Sequence, residues 1–172
     1  MNRKTKEMVL AAILTALSLI ITYSPVKLDF GCFTLTLGAH VPTLIALFVS
    51  PWVALMTIIG SCLGFLFVTG NLIVVTRAAL HILFALIGIK MLKKRVNIFL
   101  IILVTALVHA LSEGICVYLL TPIILPDSDT AVLSAAIIAL SGTFVHHLID
   151  SAIAAPIITA LSKAKILHIP QN

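Results

Sequence analysis

The chain has 172 residues, of which 61% are hydrophobic and 10% charged, and its mean hydropathy is +1.23. A soluble domain carries about 25% charged residues, so the composition excludes one and points to an integral membrane protein. The formal net charge of +5 does not indicate a nucleic-acid partner, because the basic residues sit between apolar runs rather than on a continuous patch.

The first apolar run, residues 8–23, follows the basic start MNRKTKE. No small-residue cleavage site closes it, so it reads as a retained first helix rather than a signal peptide. Within it Ala12 and Ala16 are four apart, the small-xxx-small spacing that lets helices approach closely in lipid. Residues 24–39 form a long connection. Residues 40–69 are long for one crossing and short for two full ones. Proline interrupts the helical hydrogen-bond ladder, so Ser50-Pro51 marks a break into short helices 2 and 3. Helix 4 covers 71–92, helix 5 covers 97–121 and helix 6 covers 131–162. The segment TPIILPDSDT, with two aspartates and no basic residue, joins the last two.

Charge parity supports this count. Nine of the eleven Lys and Arg residues fall into three clusters: Arg3, Lys4 and Lys6; Lys90, Lys93, Lys94 and Arg95; Lys163 and Lys165. If cytoplasmic loops carry the excess of Lys and Arg, an even number of crossings separates each cluster from the next. Two crossings within 40–69 satisfy that rule and one does not. The expected fold is therefore a single membrane-embedded, all-α domain over 1–172, a six-transmembrane-helix bundle with both termini cytoplasmic. Helices satisfy every backbone polar group in lipid, and the short alternating strands of a barrel are absent from the sequence.

Polar groups interrupt the apolar runs at four-residue spacings, which place each pair on one helix face. Arg77 and His81 lie on helix 4, His109 and Glu113 on helix 5, and His146 and Asp150, with His147, on helix 6; His40 opens helix 2 and Asn71 opens helix 4. A charge at mid-membrane costs about 2.5 kcal/mol or more, so these residues face the bundle interior. Arg77 and Glu113 fall at comparable depth. Arginine's planar fork suits a carboxylate, so Arg77 holds either Glu113 as a structural partner or a small ligand. His146 or His147 is expected to pair with Asp150; adjacent rings diverge, so only one of them does. The HExxH spacing and repeated histidine boxes are missing, so no metal is expected. Cys32, Cys62 and Cys116 have no C-x-x-C spacing and read as packing residues.

The stretches FTLTLGAHVPTLIALFVSPWVAL (33–55), GNLIVVTRAALHILFALIGIKMLKK (70–94), VHALSEG (108–114) and GTFVHHLIDSAIA (142–154), with the Ala12 and Ala16 first helix, carry a family resemblance. The chain resembles the substrate-binding S-component of energy-coupling factor (ECF) vitamin transporters, most like the niacin-type branch. The resemblance implies capture of a small B-type vitamin outside a prokaryotic plasma membrane. Delivery would then proceed through a transmembrane coupling subunit and two cytoplasmic ATPases, with Ala12 and Ala16 contacting the coupling subunit. It implies a ligand held by helices 4 to 6 and capped by the loop after helix 1, where Phe30, Phe33 and Thr34 are cap candidates. For niacin, Arg77 would meet the carboxylate, and His81, His109 or Asn71 the ring nitrogen. Phe33 or Tyr118 would stack on the ring, Glu113 would orient Arg77, and His146 completes the set. No cofactor is implied. The chain has no GxxxxGK[ST] phosphate loop, so it is expected to be non-catalytic, with ATP hydrolysis in partners. Pantothenate, pyridoxine and hydroxymethylpyrimidine are alternative ligands. Rival readings are an autonomous proton-coupled carrier, with His109 and Glu113 as relay, and an intramembrane enzyme built on His146, His147, Asp150 and Glu113.

Overall fold

A computed structural model describes residues 2–23, 27–29, 34–126 and 131–167. Six helices follow in order: α1 (Arg3–Thr22), α2 (Val41–Val49), α3 (Pro51–Thr69), α4 (Leu72–Lys93), α5 (Ile98–Ile124) and α6 (Val132–Lys163). Between α1 and α2 lies a small antiparallel hairpin of β1 (Lys27–Asp29) and β2 (Thr34–Thr36), with Leu28 opposite Leu35. Helices α1, α4, α5 and α6 are each long and apolar enough to cross a membrane, and α3 is a shorter apolar helix.

The helix boundaries follow from local chemistry. Ser50 and Pro51 end α2 and start α3: the Ser50 hydroxyl accepts from Val53 N–H at 3.2 Å, and Pro51 occupies the first turn, where its missing N–H costs nothing. At the other end of α3, Gly70 adopts φ 63°, and Asn71 at once caps α4 by accepting from Ile73 and Val74 N–H. Asn97 caps α5 in the same way through Phe99 N–H. The first helix begins at Arg3, ahead of its apolar run, and an Arg3 to Glu7 pair one turn apart supports that extra turn.

The shortest helix is the central one. At 9 residues α2 is about 14 Å long, less than half of a hydrocarbon core of about 30 Å. Its residues Val41 to Leu47 are all buried, and it packs against α1, α3, α4 and α6. Helices α4, α5 and α6 pack in sequence, and α1 lies against α3 and α2. Glycines let α1 and α3 meet closely: a Cβ at Gly60 would lie 2.6 Å from Thr15 Cγ2, and one at Gly64 would lie 2.5 Å from Leu19 Cδ2. One apolar cluster joins Ala11, Leu14, Leu47, Ile89, Ile158 and Leu167. It brings together the first half of α1 and the last turns of α2, α4 and α6, so the three basic clusters gather at one end of the bundle.

Candidate functional site

Five histidines, two carboxylates and one arginine meet within the bundle. They come from the turn before α2 and from α4, α5 and α6. The cluster has two halves, each organised around a carboxylate.

Asp150, fully buried on α6, serves the backbone. Its Oδ1 accepts from Gly38 N–H at 2.7 Å; its Oδ2 accepts from His40 N–H at 2.9 Å and from the His40 ring Nδ1 at 3.0 Å. The His146 ring Nε2 lies 3.0 Å from the same Oδ2 and 2.9 Å from the carbonyl of Thr36. Residues 37–40 form turns, and the N–H groups of Gly38 and His40 find their partner in Asp150 rather than in a helix. Non-helical backbone survives at such a place only when protein groups satisfy it, and Asp150 does so from across the fold. The negative charge also sits at the N-terminus of α2, where the helix dipole favours it.

Glu113 on α5 organises the other half. Arg77 on α4 donates from Nε at 2.9 Å and from Nη2 at 2.6 Å, both to Oε2, and the Thr143 hydroxyl donates to Oε2 at 2.8 Å. The other oxygen, Oε1, faces His109 Nε2 at 3.2 Å and His81 Nε2 at 3.4 Å. Behind them His109 Nδ1 meets His147 Nδ1 at 3.0 Å, and His147 Nε2 meets Thr105 Oγ1 at 3.1 Å. Phe84 packs on the rings of His109 and His147, with centroids 4.7 and 5.1 Å away, sealing this side. Gly114 lets α5 approach α6 beside Glu113: a Cβ there would lie 2.9 Å from Leu140 Cβ.

A cavity of about 110 Å³ opens beside these groups. Its walls include Arg77, His81, Glu113, Thr143, His40 and His146, with Ser18 and Thr22 of α1 and Ser61 and Phe65 of α3 closing it. A water molecule's share of liquid is about 30 Å³, so the hollow suits a few waters or one small ring. A larger hollow of about 630 Å³ lies at the basic end, with mostly aliphatic walls that include Leu47, Leu92, Ile102 and Ile158 beside Arg95. It lacks the converging polar groups that fix a small polar ligand's orientation.

The niacin transporter NiaX of Lactococcus lactis subsp. cremoris (strain MG1363) is 31% identical to this chain over 170 residues, which cover 94% of the chain and 77% of NiaX. The chain belongs to the NiaX family. This bears out the resemblance to niacin-type S-components and agrees with a transport protein rather than an enzyme. No protein-family model and no solved structure matches the chain.

In this NiaX-family protein Arg77, His81, Glu113 and His146 line the small cavity. His109 is fully buried behind it, as the partner of Glu113 and His147. Asn71 lies outside that lining, its side-chain oxygen engaged in capping α4, and Tyr118 is half exposed on α5 away from the cavity. Phe30, Phe33 and Cys32 lie outside the described residues, and Thr34 belongs to β2. Ala12 and Ala16 are exposed on α1; its contact with α3 runs through Thr15 and Leu19 instead. Cys62 and Cys116 are free thiols. Of the adjacent pair on α6, His146 joins Asp150 and His147 turns toward α5, as diverging rings require. His40, Thr143, Phe65 and Thr105 join the site in the structure without being among the sequence candidates for it. Of these only His40 had a sequence signal, an ionisable residue opening an apolar helix.

Proposed function

We propose that the protein binds a small B-type vitamin, niacin as the best candidate, from outside the cell. In this reading it delivers the vitamin as the S-component of an ECF-type transporter, in a prokaryotic plasma membrane, with both termini cytoplasmic. The observation that carries the ligand assignment is the small polar cavity walled by Arg77, in a chain related to a niacin transporter. Nicotinate is a flat ring bearing one carboxylate and one basic nitrogen. Arg77 matches the carboxylate. Glu113, holding Nε and Nη2 on a single oxygen, fixes the plane of the guanidinium, and His81 or His40 is within the same walls for the ring nitrogen. Phe65, which lines the cavity, offers a face for stacking in place of Tyr118. The turn before α2, tied to α6 through Asp150 and His146, supports a cap formed by the loop after α1. ATP hydrolysis and the coupling path belong to partner subunits.

Isothermal titration of the purified chain with nicotinate tests this reading. Trp52 lies half exposed at the start of α3, nine residues before the nearest lining residue of that helix, so calorimetry is the better readout than its fluorescence. Arg77→Ala is expected to weaken nicotinate binding at least about a hundredfold, the loss of a charge-assisted contact worth about 3 kcal/mol, while leaving nicotinamide less affected. Equal affinity for the acid in both proteins overturns the assignment. Uptake by cells should require the coupling subunit and ATPases; uptake by the chain alone, driven by a proton gradient, would favour the carrier instead.

A further inference from the structure

His40, His81, His109 and Glu113 each offer one atom of metal-ligand type, and these four atoms all lie within 4.8 Å of one another. The three rings stand edge to face, with centroid separations of 4.7 Å for His40 and His81, 4.6 Å for His40 and His109, and 4.8 Å for His81 and His109. We propose that these four side chains form a binding site for one divalent transition-metal ion of the zinc, cobalt or nickel class. The spacing along the chain conceals this site, because each imidazole comes from a different element. The ion takes the ring nitrogens of His40 and His81 that the niacin reading turns toward the vitamin, so the two are alternative uses of those side chains and the metal site does not rest on niacin being the ligand.

Proton placement along the buried chain argues for a cation. Thr105 has one hydroxyl proton, directed to the carbonyl of Ile101 at 2.7 Å and shared with that of Ile102 at 3.1 Å. Its oxygen therefore accepts from His147 Nε2. A neutral His147 then presents a lone pair at Nδ1, and His109 donates to it from its own Nδ1. The remaining lone pair of a neutral His109, at Nε2, confronts Glu113 Oε1 across 3.2 Å, with His81 Nε2 3.4 Å from the same oxygen. Two electron-rich atoms facing each other in a buried site need a positive charge between them.

Three further observations agree with a metal ion as that charge. Atoms bound to one ion at about 2.1 Å lie about 3.0–3.4 Å apart at octahedral to tetrahedral angles, which matches both spacings to Oε1. Metal-binding histidines pass their other ring N–H to an acceptor; His40 does so to Asp150, and His109 does so to His147. Finally, Glu113 and Asp150 outnumber Arg77, so with neutral imidazoles these buried groups hold one excess negative charge, which attracts a cation; a divalent ion turns that excess into one positive charge. Three nitrogens and one carboxylate oxygen favour zinc-like ions over magnesium or calcium. Arg77 and Thr143 occupy Oε2, which leaves Oε1 for the ion.

The test uses tag-free protein in detergent, incubated with zinc and desalted, with no vitamin added, followed by elemental mass spectrometry. One zinc per chain is expected, retained by His168→Ala and reduced at least tenfold in the His81→Ala/His109→Ala double variant. No retained zinc in the parent chain, or equal retention by the double variant, overturns the proposal. If the double variant does not fold, X-ray absorption of the zinc-loaded parent chain decides. A shell with imidazole scattering at about 2.0–2.1 Å supports the site, and a shell without it sinks the proposal.

Discussion

Each buried carboxylate here answers to a specific set of donors. Glu113 neutralises Arg77 and receives Thr143; Asp150 closes the backbone of the turn that leads into α2. Changing Asp150 to Asn keeps the shape and removes the charge. It also turns an amide N–H₂ toward either Gly38 N–H or the three donors around Oδ2, where no arrangement satisfies every group. Breaking such a buried charged network costs about 3 kcal/mol or more, so Asp150→Asn is expected to lower the midpoint of denaturant unfolding in detergent. An unchanged midpoint would show that the turn is held by other contacts. The four-residue spacings made the pairs on single helices legible from sequence: 77 with 81, 109 with 113, 146 with 150. The bonds between helices were not, apart from the Arg77 and Glu113 pairing suggested by depth. Whether His147 meets Asp150 or His109 depends on the rotation of α6 against α5, which periodicity within one helix does not define.

At the scale of elements, local chemistry was the most readable part of the chain. Ser50-Pro51 marks the break between α2 and α3, and the two helices lie where that break puts them. The hairpin of β1 and β2 is not legible in the sequence, since two three-residue strands leave almost no alternation to detect. The sequence shows His40 opening α2 but not its place in the site, because that place depends on the turn that Asp150 anchors. The meeting of α5 and α6 depends on Gly114, and Glu113 precedes it directly. Gly114→Ala would force Leu140 and the Ala136 carbonyl away by several tenths of an ångström. Overpacking of this kind costs about 1–3 kcal/mol and here also draws Glu113 from Thr143. The variant should therefore lose stability in thermal unfolding and bind nicotinate more weakly by calorimetry. A loss of stability with unchanged binding would separate the helix contact from the cavity.

Across the whole molecule, the small polar cavity and the basic residues occupy opposite ends, and α1 runs along the side of both. Its second half contributes Ser18 and Thr22 to the small cavity, while its first half joins the apolar cluster at the basic end. The main packing partners of α1 are α2 and α3, and Ala12 and Ala16 on its outer face are exposed. In lipid, small side chains on an open helix face permit close approach of another helix, whereas large ones prevent it. If that face receives a coupling subunit, a bulky residue there should block delivery without disturbing capture. Ala16→Trp, pointing away from the bundle, is expected to leave nicotinate affinity within about twofold of the parent chain, because surface changes away from buried features cost about 0.5 kcal/mol or less. Uptake in cells co-expressing the coupling subunit and ATPases should fall on the order of tenfold, the effect of about 1.4 kcal/mol at the contact. Full uptake by this variant would remove α1 from the proposed coupling contact without bearing on the proposed vitamin site.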